Sequence, residues 1–583
     1  MMFGTSPAQP AATLDRSGRV VERAAWIAVP VVIAIHVWLY RFEMANLDGI
    51  SYLELGWAWR DGRWHDAING YWSPAYPWVL AAALRVVNPS PYWEYPLLHF
   101  VNLATTMAAL AGFTYLVRGL TARWDAEGAV PRPAFLGAAY ALFLWTAVVP
   151  LVAWMESPDI FLATFIYLAF GALVRLTSGA SRLGAGLVLG LALACGYLTK
   201  AAMMPIAVVF FAAAALATWR RGPGVPLTAA LVAFLVVAGP WVGALSIAKG
   251  RATFGEAGRL NYIWFVNGSE NWPQNWPRHW PHWEGEAENG SPTSGARRLL
   301  RDPAVYEFAT VTPSTYPMWY EPSAWYDGLH AHFEPGDQAR RVVLSLKDLY
   351  RVFALSPYHL DFFNPQPALA AVFLMVMLVL RALGVPRVFR SSIEWWVPSV
   401  AAIAMYTLVY VEQRYLGAFV AAMWLFAFDG LRQPNHGTVG QVLRCGGITM
   451  ASVLVAAVVA ASAVQAYAPV RRVLRGEPDQ EHLHWVRAER MRQAGFHVGD
   501  LIGYVGHPQA ATRWAHLARV RIIAEVPASD APKLAGSDVI QEQVVAAFRT
   551  AGVQWAVWDN PAVETPPRWR RVEGTSYLVR RVN

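Results

Sequence analysis

The 583-residue sequence has few charged residues. Only 15% of its residues are Asp, Glu, Lys or Arg, whereas soluble domains carry about 25%. The charges are unevenly spread, and 55% of all residues are hydrophobic. This composition excludes an ordinary soluble protein and predicts a polytopic membrane protein.

Cysteine is almost absent as well. The two cysteines, Cys195 and Cys445, lie in or beside apolar runs, so they do not indicate a disulfide framework. The N-terminus shows no short apolar segment followed by a small-residue cleavage site, and we therefore expect the first span to be retained. The net charge of +8 is typical of cytoplasmic loops in a membrane protein, and no nucleic-acid partner is expected.

Eleven apolar runs approach the roughly 20 residues that one helical membrane crossing needs. Two of them are short enough to be tilted or broken helices, namely 183–198 and 202–219. The runs are 25–41, 96–117, 133–153, 158–175, 183–198, 202–219, 226–248, 366–380, 393–411, 415–431 and 446–468. The sequence thus predicts a mainly α-helical transmembrane domain over 25–468 with about eleven helices.

The short loops differ in charge from one side of the membrane to the other. If the N-terminal segment 1–24 is cytoplasmic, the short inner loops hold many arginines, and the short outer loops hold almost no basic residues apart from Lys200 and Arg414. This is the positive-inside pattern. An odd number of spans then places the C-terminus outside, together with two large loops, 42–95 and 249–365.

The tail 469–583 has the composition of a soluble domain on the outer side. Its strand and helix signals alternate, which favours a parallel sheet and predicts a small α/β domain. In chain order they are strand "DLIGYVG", helix "AATRWAHLA", strand "RVRIIAEV", helix "VIQEQVVAAFRTAG", strand "VQWAVWDN" and hairpin "WRRVEGTSYLVRRV". The tail contains no Gly-rich phosphate loop, and no chemistry is assigned to it.

Five charged residues stand where predicted spans meet the outer surface. They are Asp48 in "NLDGISYLELGW", Glu156 and Asp159 in "AWMESPDIF", Lys200 in "YLTKAAMMP" and Arg414 in "YVEQRYLG". Ionisable groups at such depth are costly unless they are paired or functional. Carboxylates and cations at one membrane surface indicate a site for anionic lipid chemistry.

Each of these residues also has a simpler explanation. Asp48 could cap a helix, although Ser51 and Glu54 fit an S-x-x-E capping box and would leave Asp48 free. Asp159 could cap the span that it precedes. Lys200 could extend its ammonium group to the membrane surface.

Three segments, in this order, resemble the GT-C superfamily of membrane glycosyltransferases. The most similar branch holds the protein O-mannosyltransferases and the lipid A aminoarabinose transferase. The segments are "NLDGISYLELGWAWRDGRWHDAINGYWSPAYPWVLA", "ALACGYLTKAAMMP" and "EQRYLGAFVAAMW". The resemblance covers about 30–430 and implies an inverting enzyme of the bacterial inner membrane that takes a sugar from a polyprenyl-phosphate donor.

The resemblance also implies a role for each of the five charged residues. Asp48 would be the catalytic residue and would take the proton of the acceptor hydroxyl. Lys200 and Arg414 would stabilise the leaving phosphate, although Arg414 could instead pair with a neighbouring acid or with lipid headgroups. Glu156 or Asp159 would fill a second acidic position of the family.

The sequence departs from the family directly after Asp48. Aminoarabinose transferases and mannosyltransferases commonly have a second acid at the next position, where this chain has Gly49. This difference counts against either of those two specific activities.

Three further residues belong to the predicted substrate site. Tyr52 and Tyr415 accompany the motif residues, and His359 lies in "SPYHLDFFNPQP" before the eighth span. His359 and the neighbouring Asp361 are included on position alone. The interfacial helices predicted at 50–61 and 77–88 would form the cavity wall and admit the polyprenyl chain.

A metal requirement stays open, because some GT-C enzymes hold a divalent ion and others do not. Asp48 with Glu156 or Asp159 could supply oxygen ligands to Mg or Mn. A Trp- and Pro-rich stretch, "RHWPHWEGEAE", could hold zinc but is more typical of an interfacial surface. Its candidate ligands are His279, His282, Glu284 and Glu286. No residue is assigned as a metal ligand.

The expected partners are the lipid-linked donor, membrane lipids, and an acceptor that could be a cell-envelope glycan, lipid or protein. One alternative is a lipid-linked glycan flippase or transporter. Transporters place ionisable groups near the bilayer midplane, often within inverted repeats, whereas this sequence shows no repeat. A second alternative, a polysaccharide polymerase or ligase, would not be expected to carry an Asp so early in the first loop.

Overall fold

Helices make up most of the computed structural model, together with one sheet near the C-terminus. It describes residues 16–124, 130–178, 182–219, 224–268, 296–308, 314–325, 330–354, 364–385, 392–431, 437–476, 482–559 and 565–582. The mainly α-helical fold with a small C-terminal α/β region, predicted from the sequence, is confirmed.

The helices of the described ranges are, in chain order, α1 (Arg16–Tyr40), α2 (Asp48–Arg60), α3 (Trp64–Ala67), α4 (Ala75–Val87), α5 (Glu94–Thr121), α6 (Arg132–Val148), α7 (Asp159–Ser178), α8 (Arg182–Thr199), α9 (Met203–Thr218), α10 (Gly224–Lys249), α11 (Ala257–Tyr262), α12 (Pro317–Tyr320), α13 (Pro322–Trp325), α14 (Pro335–Ala354), α15 (Gln366–Ala382), α16 (Ile393–Val409), α17 (Gln413–Gly430), α18 (Gly437–Arg475), α19 (Leu483–Gln493), α20 (Pro508–Ala518), α21 (Ala531–Ala535) and α22 (Asp538–Thr550). The strands are β1 (Ala296–Leu300), β2 (Val305–Phe308), β3 (Leu501–Gly506), β4 (Arg521–Pro527), β5 (Trp555–Asp559), β6 (Arg570–Arg571) and β7 (Tyr577–Arg581).

Each apolar run of the sequence corresponds to one helix, and these helices are α1, α5 to α10 and α15 to α18. The run 133–153 continues past the end of α6 at Val148. Within the described ranges, six helical segments are long and apolar enough to cross a membrane: α1, Pro91–Thr121, α7, α8, α10 and α18. The chain is therefore a multi-pass membrane protein, while the number of helices that cross stays a prediction. Ile27, Val236 and Val459 leave about two thirds of their surface exposed on α1, α10 and α18 (67%, 67% and 64%), as contact with lipid tails requires.

Small residues allow α8 and α10 to pack closely. A Cβ atom on Gly186 would lie 2.2 Å from the carbonyl oxygen of Pro226, and one on Gly190 would lie 2.0 Å from that of Ala230. The two glycines are four residues apart and therefore lie on the same face of α8. This is the small-xxx-small spacing that lets helix backbones approach each other in a membrane.

The ends of the bundle differ in the charges they carry. At one end, Arg118 of α5 pairs with Glu22 of α1, and Arg123 lies 3.7 Å from Asp429 at the end of α17. At the other end, the segment after α1, the start of α7, the end of α8 and the start of α17 meet around one cavity. The arginine-rich end and the cavity therefore lie on opposite ends of the bundle.

The C-terminal sheet has the strand order β1-β2-β4-β3-β5-β7-β6. β3 pairs in parallel with β4 and β5, as the alternating signals of the tail favoured, and β6 and β7 form the predicted terminal hairpin. β7 also pairs antiparallel with β5, which was not predicted. The hairpin of β1 and β2 was not predicted. It comes from the loop 249–365 and joins the sheet by antiparallel pairing of Tyr306 with Glu525. We refer to the sheet with α19 to α22 as the α/β unit.

Candidate functional site

The first outer helix begins at Asp48, four residues earlier than a capping box with Ser51 as the N-cap requires. Ser51 lies inside this helix, and its hydroxyl donates to the carbonyl of Trp319 at 3.0 Å. The Glu54 carboxylate accepts the N–H of Thr315 at 2.9 Å. The capping-box interpretation is therefore wrong, because both side chains bond to residues that are distant in the sequence. The helix start is instead held by Asn46, whose side-chain oxygen accepts the N–H of Asp48 at 3.1 Å.

A cavity of about 240 Å³ opens beside Asp48. Four parts of the chain supply its charged lining: the start of α2, the start of α7, the α8–α9 connection and the start of α17. The predicted site residues that line it are Asp48, Tyr52, Asp159, Lys200, Arg414 and Tyr415. The structure thus brings together six of the residues singled out from the sequence. His359 and Asp361 lie outside the described residues, as do the four candidate zinc ligands.

Lys200 is held at the cavity by one carboxylate and one ring. Its ammonium nitrogen donates a 2.6 Å hydrogen bond to Oδ1 of Asp159 and lies 3.7 Å from the ring centroid of Tyr415. Only 1% of the Asp159 side chain is exposed. Burial lowers the pKa of Lys200, while the adjacent Asp159 counteracts this effect. The ammonium is thus fixed in direction, with its remaining donors available to the cavity.

Arg414 lies among three acids. Its Nε atom is 2.8 Å from Oε1 of Glu412 and 3.6 Å from Oδ2 of Asp159, and its Nη2 atom is 3.6 Å from Oδ2 of Asp48. The contact with Glu412 lacks hydrogen-bond geometry, so Nε of Arg414 and Oδ2 of Asp159 are buried without a hydrogen-bond partner in the described part of the chain. The Arg414 side chain is 12% exposed and lines the cavity, so the guanidinium can present N–H donors to an oxygen atom of an incoming ligand there.

Asp48 experiences two opposing effects on its acidity. Burial raises the pKa of its carboxyl group, whereas the positive charge of Arg414 lowers it, and the net change is upward. A carboxylate with a raised pKa is a stronger base than one in water. Its position on the cavity wall makes it able to accept a proton from a bound hydroxyl.

Glu156 does not line the cavity, unlike Asp159. Its side chain is 1% exposed, and its carboxylate accepts the N–H groups of Ala45 at 3.2 Å and Asn46 at 2.9 Å. Burial raises its pKa to about 7, even though these two N–H groups favour the ionised form. Glu156 therefore holds the segment before Asp48, and the structure separates it from the cation-binding Asp159.

Close packing against Glu156 explains why glycine follows Asp48. A Cβ atom on Gly49 would lie 2.5 Å from Cβ of Glu156 and 2.8 Å from Sδ of Met44. Neither distance occurs between real atoms, so position 49 has no space for the second acid that is common in the family. The difference at this position is thus a consequence of how the helix start packs.

Some residues of the cavity were not predicted from the sequence. The hydroxyl of Tyr71 donates to Oδ1 of Asn261 at 3.3 Å, and both residues line the cavity. Tyr71 stands in the stretch "NGYWSPAYP", whose resemblance to the family could have indicated it. Asn261 lies in the loop 249–365, where no motif pointed to it. Burial raises the pKa of Tyr71, so its hydroxyl stays neutral and able to donate.

A second buried charge cluster joins the first outer loop to the α/β unit. His516 of α20 lies between two carboxylates, with Nδ1 3.1 Å from Oε1 of Glu54 and Nε2 2.8 Å from Oε2 of Glu94. Arg519 also pairs with Glu94. Burial alone would lower the pKa of His516, but the hydrogen bonds to the two glutamates outweigh it and raise the pKa. This cluster contacts α2 on its side away from the cavity-lining Asp48 and Tyr52.

The described residues do not arrange the predicted acids for a metal ion. In the described ranges, no three His, Cys, Asp or Glu side chains come together as a ligand group. Asp159 is paired with Lys200, and Glu156 is engaged with backbone N–H groups. Neither acid therefore fits the expectation of a Mg or Mn ion shared with Asp48, and we assign no step to a metal.

Several solved structures are similar to this chain. ArnT from Cupriavidus metallidurans in the apo state is 14% identical with a TM-score of 0.41, over 96% of this chain and 98% of that one. ArnT from Cupriavidus metallidurans bound to undecaprenyl phosphate is also 14% identical with a TM-score of 0.41, over 97% of this chain and 98% of that one. An Archaeoglobus fulgidus oligosaccharyltransferase in complex with Zn and sulfate is 14% identical with a TM-score of 0.44, over 91% of this chain and 67% of that one. No protein-family model and no curated protein matches the sequence.

Proposed function

We propose that this chain is an integral membrane glycosyltransferase of the GT-C class. It moves a sugar from a polyprenyl-phosphate donor to an acceptor hydroxyl, with inversion at the anomeric carbon. The observation that carries the proposal is that Asp48, Lys200 and Arg414 line one cavity at the end of an apolar helix bundle. A base and two cations within one cavity are what this reaction requires.

The two cations suit the phosphate of the donor. Lys200 offers a compact ammonium charge, and Arg414 offers a planar fork of N–H donors that matches phosphate oxygens. The Arg414 side chain lines the cavity with 12% of its surface exposed, which allows its guanidinium to bond one such oxygen. Three acids, Asp48, Asp159 and Glu412, surround these cations and keep them charged and oriented before the donor arrives.

Asp48 suits the acceptor hydroxyl. In the transfer, the acceptor oxygen forms a bond to the anomeric carbon while its proton passes to the Asp48 carboxylate. The bond between the anomeric carbon and the phosphate oxygen breaks, and the lipid phosphate leaves with the electron pair. Its growing negative charge is stabilised by Lys200 and Arg414. Attack on the face opposite the leaving phosphate inverts the anomeric centre.

The position of the cavity supports a lipid-linked donor. It lies where apolar helices end, so a polyprenyl chain can stay in the bilayer while its phosphate reaches the cations. We place this end outside the inner membrane, where no nucleotide sugar is available. In the same topology, 1–24 is cytoplasmic, 25–468 is the transmembrane domain, and 469–583 lies in the periplasm or extracellular space. The acceptor is a cell-envelope glycan, lipid or protein.

Transfer from a panel of radiolabelled polyprenyl-phosphate sugars tests the proposal. The purified protein should transfer or slowly hydrolyse at least one donor, and Asp48→Asn should lower the rate by about 100-fold or more, as expected for loss of a general base. Asp61→Asn is the matched control, because Asp61 follows the same helix and pairs with Arg60 at 2.7 Å outside the cavity. The proposal fails if the wild type and Asp48→Asn are equally inert towards every donor. Movement of labelled lipid across vesicles without transfer would instead favour the flippase alternative.

A further inference from the structure

The segment between α1 and α2, Glu43–Asn46, is held by side chains from other parts of the chain. We call this segment the strap. Nε of Arg513 donates to the carbonyl of Met44 at 2.7 Å, and Nη2 of Arg513 donates to that of Ala45 at 3.3 Å. From the other side, the carboxylate of Glu156 accepts the N–H groups of Ala45 and Asn46. The carbonyl of Glu43 lies 2.9 Å from Nε2 of His99.

These partners come from three separate elements. His99 belongs to α5, Glu156 to the connection between α6 and α7, and Arg513 to α20 of the α/β unit. The strap has no helix or strand of its own, so its backbone groups need such partners once they are removed from water. Its position therefore depends on all three elements at once.

The strap sets the position of Asp48. Asn46, at its end, accepts the N–H of Asp48 on its side chain at 3.1 Å and the N–H of Gly49 on its carbonyl at 3.0 Å. Met44 packs against Gly49 so closely that no further atom fits between them. A shift of the strap is therefore transmitted to the first turn of α2, which carries the Asp48 carboxylate.

We propose that Arg513 is a positioning residue for Asp48, through which docking of the α/β unit sets the geometry of the active site. This inference rests on the proposed function of Asp48 as the base. Arg513 does not line the cavity, and its guanidinium bonds to the strap. The proposal assigns the α/β unit a task in catalysis that its own sequence, which lacks any phosphate-binding loop, does not indicate.

Arg513→Met should lower kcat by about 10- to 100-fold, because small displacements of a catalytic group cost this much. The donor KM should stay within about threefold, since Lys200 and Arg414 are untouched. The pH profile of kcat should also shift, because a moved Asp48 has a different distance to Arg414. Arg513→Lys keeps the charge but cannot reach both carbonyls, and it should recover part of the loss.

Arg549→Met is the matched control. Arg549 lies in the same unit, and its Nε donates to the carbonyl of Val582 at 3.0 Å, a bond of the same kind that does not involve the strap. Hydrogen exchange of a peptide covering 43–49 gives a readout that does not need activity. Exchange there should accelerate in Arg513→Met and stay at the wild-type rate in Arg549→Met.

The two proposals fail in different ways. If wild type transfers no sugar from any donor, the function is wrong, and the exchange experiment still decides whether Arg513 holds the strap. If wild type is active and Arg513→Met matches Arg549→Met in kcat, pH profile and exchange at 43–49, the positioning role is overturned. A lower kcat with unchanged exchange and pH profile would also overturn it, because the effect would then not pass through the strap.

Discussion

Lys200 and Asp159 form a 2.6 Å ion pair at the cavity, in which the Asp159 side chain is almost fully buried and the Lys200 side chain is 23% exposed. The two residues are 41 positions apart and come from the neighbouring helix ends of α7 and α8. The buried acid therefore serves as a fixed counter-charge that points a partly accessible cation towards the cavity.

Lys200→Met tests the role of this cation. Loss of the ammonium should lower kcat/KM for the donor by about 100- to 1000-fold, the usual effect of removing one donor that stabilises developing negative charge. The measurement is the initial transfer rate over a range of donor concentrations. Lys249→Met is the control, since Lys249 also ends a membrane helix and pairs with an acid, Glu321 at 3.5 Å, but does not line the cavity. Equal losses in both variants would contradict a specific role for Lys200.

Gly49→Ala and Gly49→Glu test the packing after Asp48. A Cβ atom at this position would overlap Glu156 and Met44, so Gly49→Ala should lower the free energy of unfolding by about 1–3 kcal/mol. Gly49→Glu introduces an acid where the enzymes that the sequence resembles commonly have one, and it should still lose activity, because it displaces Asp48. Thermal unfolding in detergent and transfer rates measure the two effects.

Gly243→Ala provides the control for this series. Gly243 lies within α10, and a Cβ atom there would meet open space. Its substitution should leave the unfolding temperature unchanged or slightly raised, because alanine is the better helix former. If Gly49→Glu were as stable and active as wild type, the steric explanation for the missing acid would be wrong.

The helices and much of the cavity could be predicted because their signals are local. An apolar run of about 20 residues specifies a membrane helix without reference to any other part of the chain. Charged residues at the ends of such runs are rare, and this rarity allows Asp48, Lys200 and Arg414 to be predicted as site residues. Their grouping around one cavity then follows from the antiparallel course of the helices.

The contacts that position the site depend on pairings between distant segments, and the sequence gives no local signal for them. Arg513 lies in an ordinary amphipathic helix, and its bonds to Met44 and Ala45 exist only once the α/β unit has docked. Ser51 and Glu54 likewise show that a local sequence pattern does not reveal contacts with distant segments. Their spacing matches a capping box, but tertiary partners take both side chains.

Glu156 should make stability depend on pH between about 4.5 and 7. Burial raises its pKa from 4.5 to about 7, so the native state binds more protons than the unfolded state in this window. The contribution of Glu156 to stability is therefore fully present below pH 4.5 and is lost as the pH rises through 7, by about 3 kcal/mol for the full shift. Unfolding temperatures measured across this range should fall with pH.

Glu156→Gln should flatten this pH dependence. The amide cannot ionise, although it replaces one acceptor of the strap N–H groups with a donor and should lower stability at every pH. Glu525 of β4, whose pKa burial also raises to about 7, contributes in the same direction and stays in this variant. Glu525→Gln should therefore remove a separate part of the slope. If the unfolding temperature of Glu156→Gln depended on pH as steeply as that of wild type, Glu156 would not be a source of this pH dependence.

His516 should make docking of the α/β unit weaker at alkaline pH. The two glutamates beside it raise its pKa above the ordinary value of 6.5, so the imidazolium contributes stability that is fully present below 6.5. That contribution is lost as the pH rises through the native pKa, because the neutral ring can donate to only one of Glu54 and Glu94. Hydrogen exchange in α20, taken relative to the intrinsic base-catalysed amide rate at each pH, should therefore accelerate between pH 6 and pH 9 in wild type. In His516→Gln, α20 should already exchange faster than in wild type at pH 6 and should show little further change up to pH 9. His497→Gln is the control, because the His497 side chain is 76% exposed, and its α20 should exchange as in wild type. If exchange in α20 of the wild type rose with pH only as fast as the intrinsic amide exchange rate, the buried cluster around His516 would not control docking.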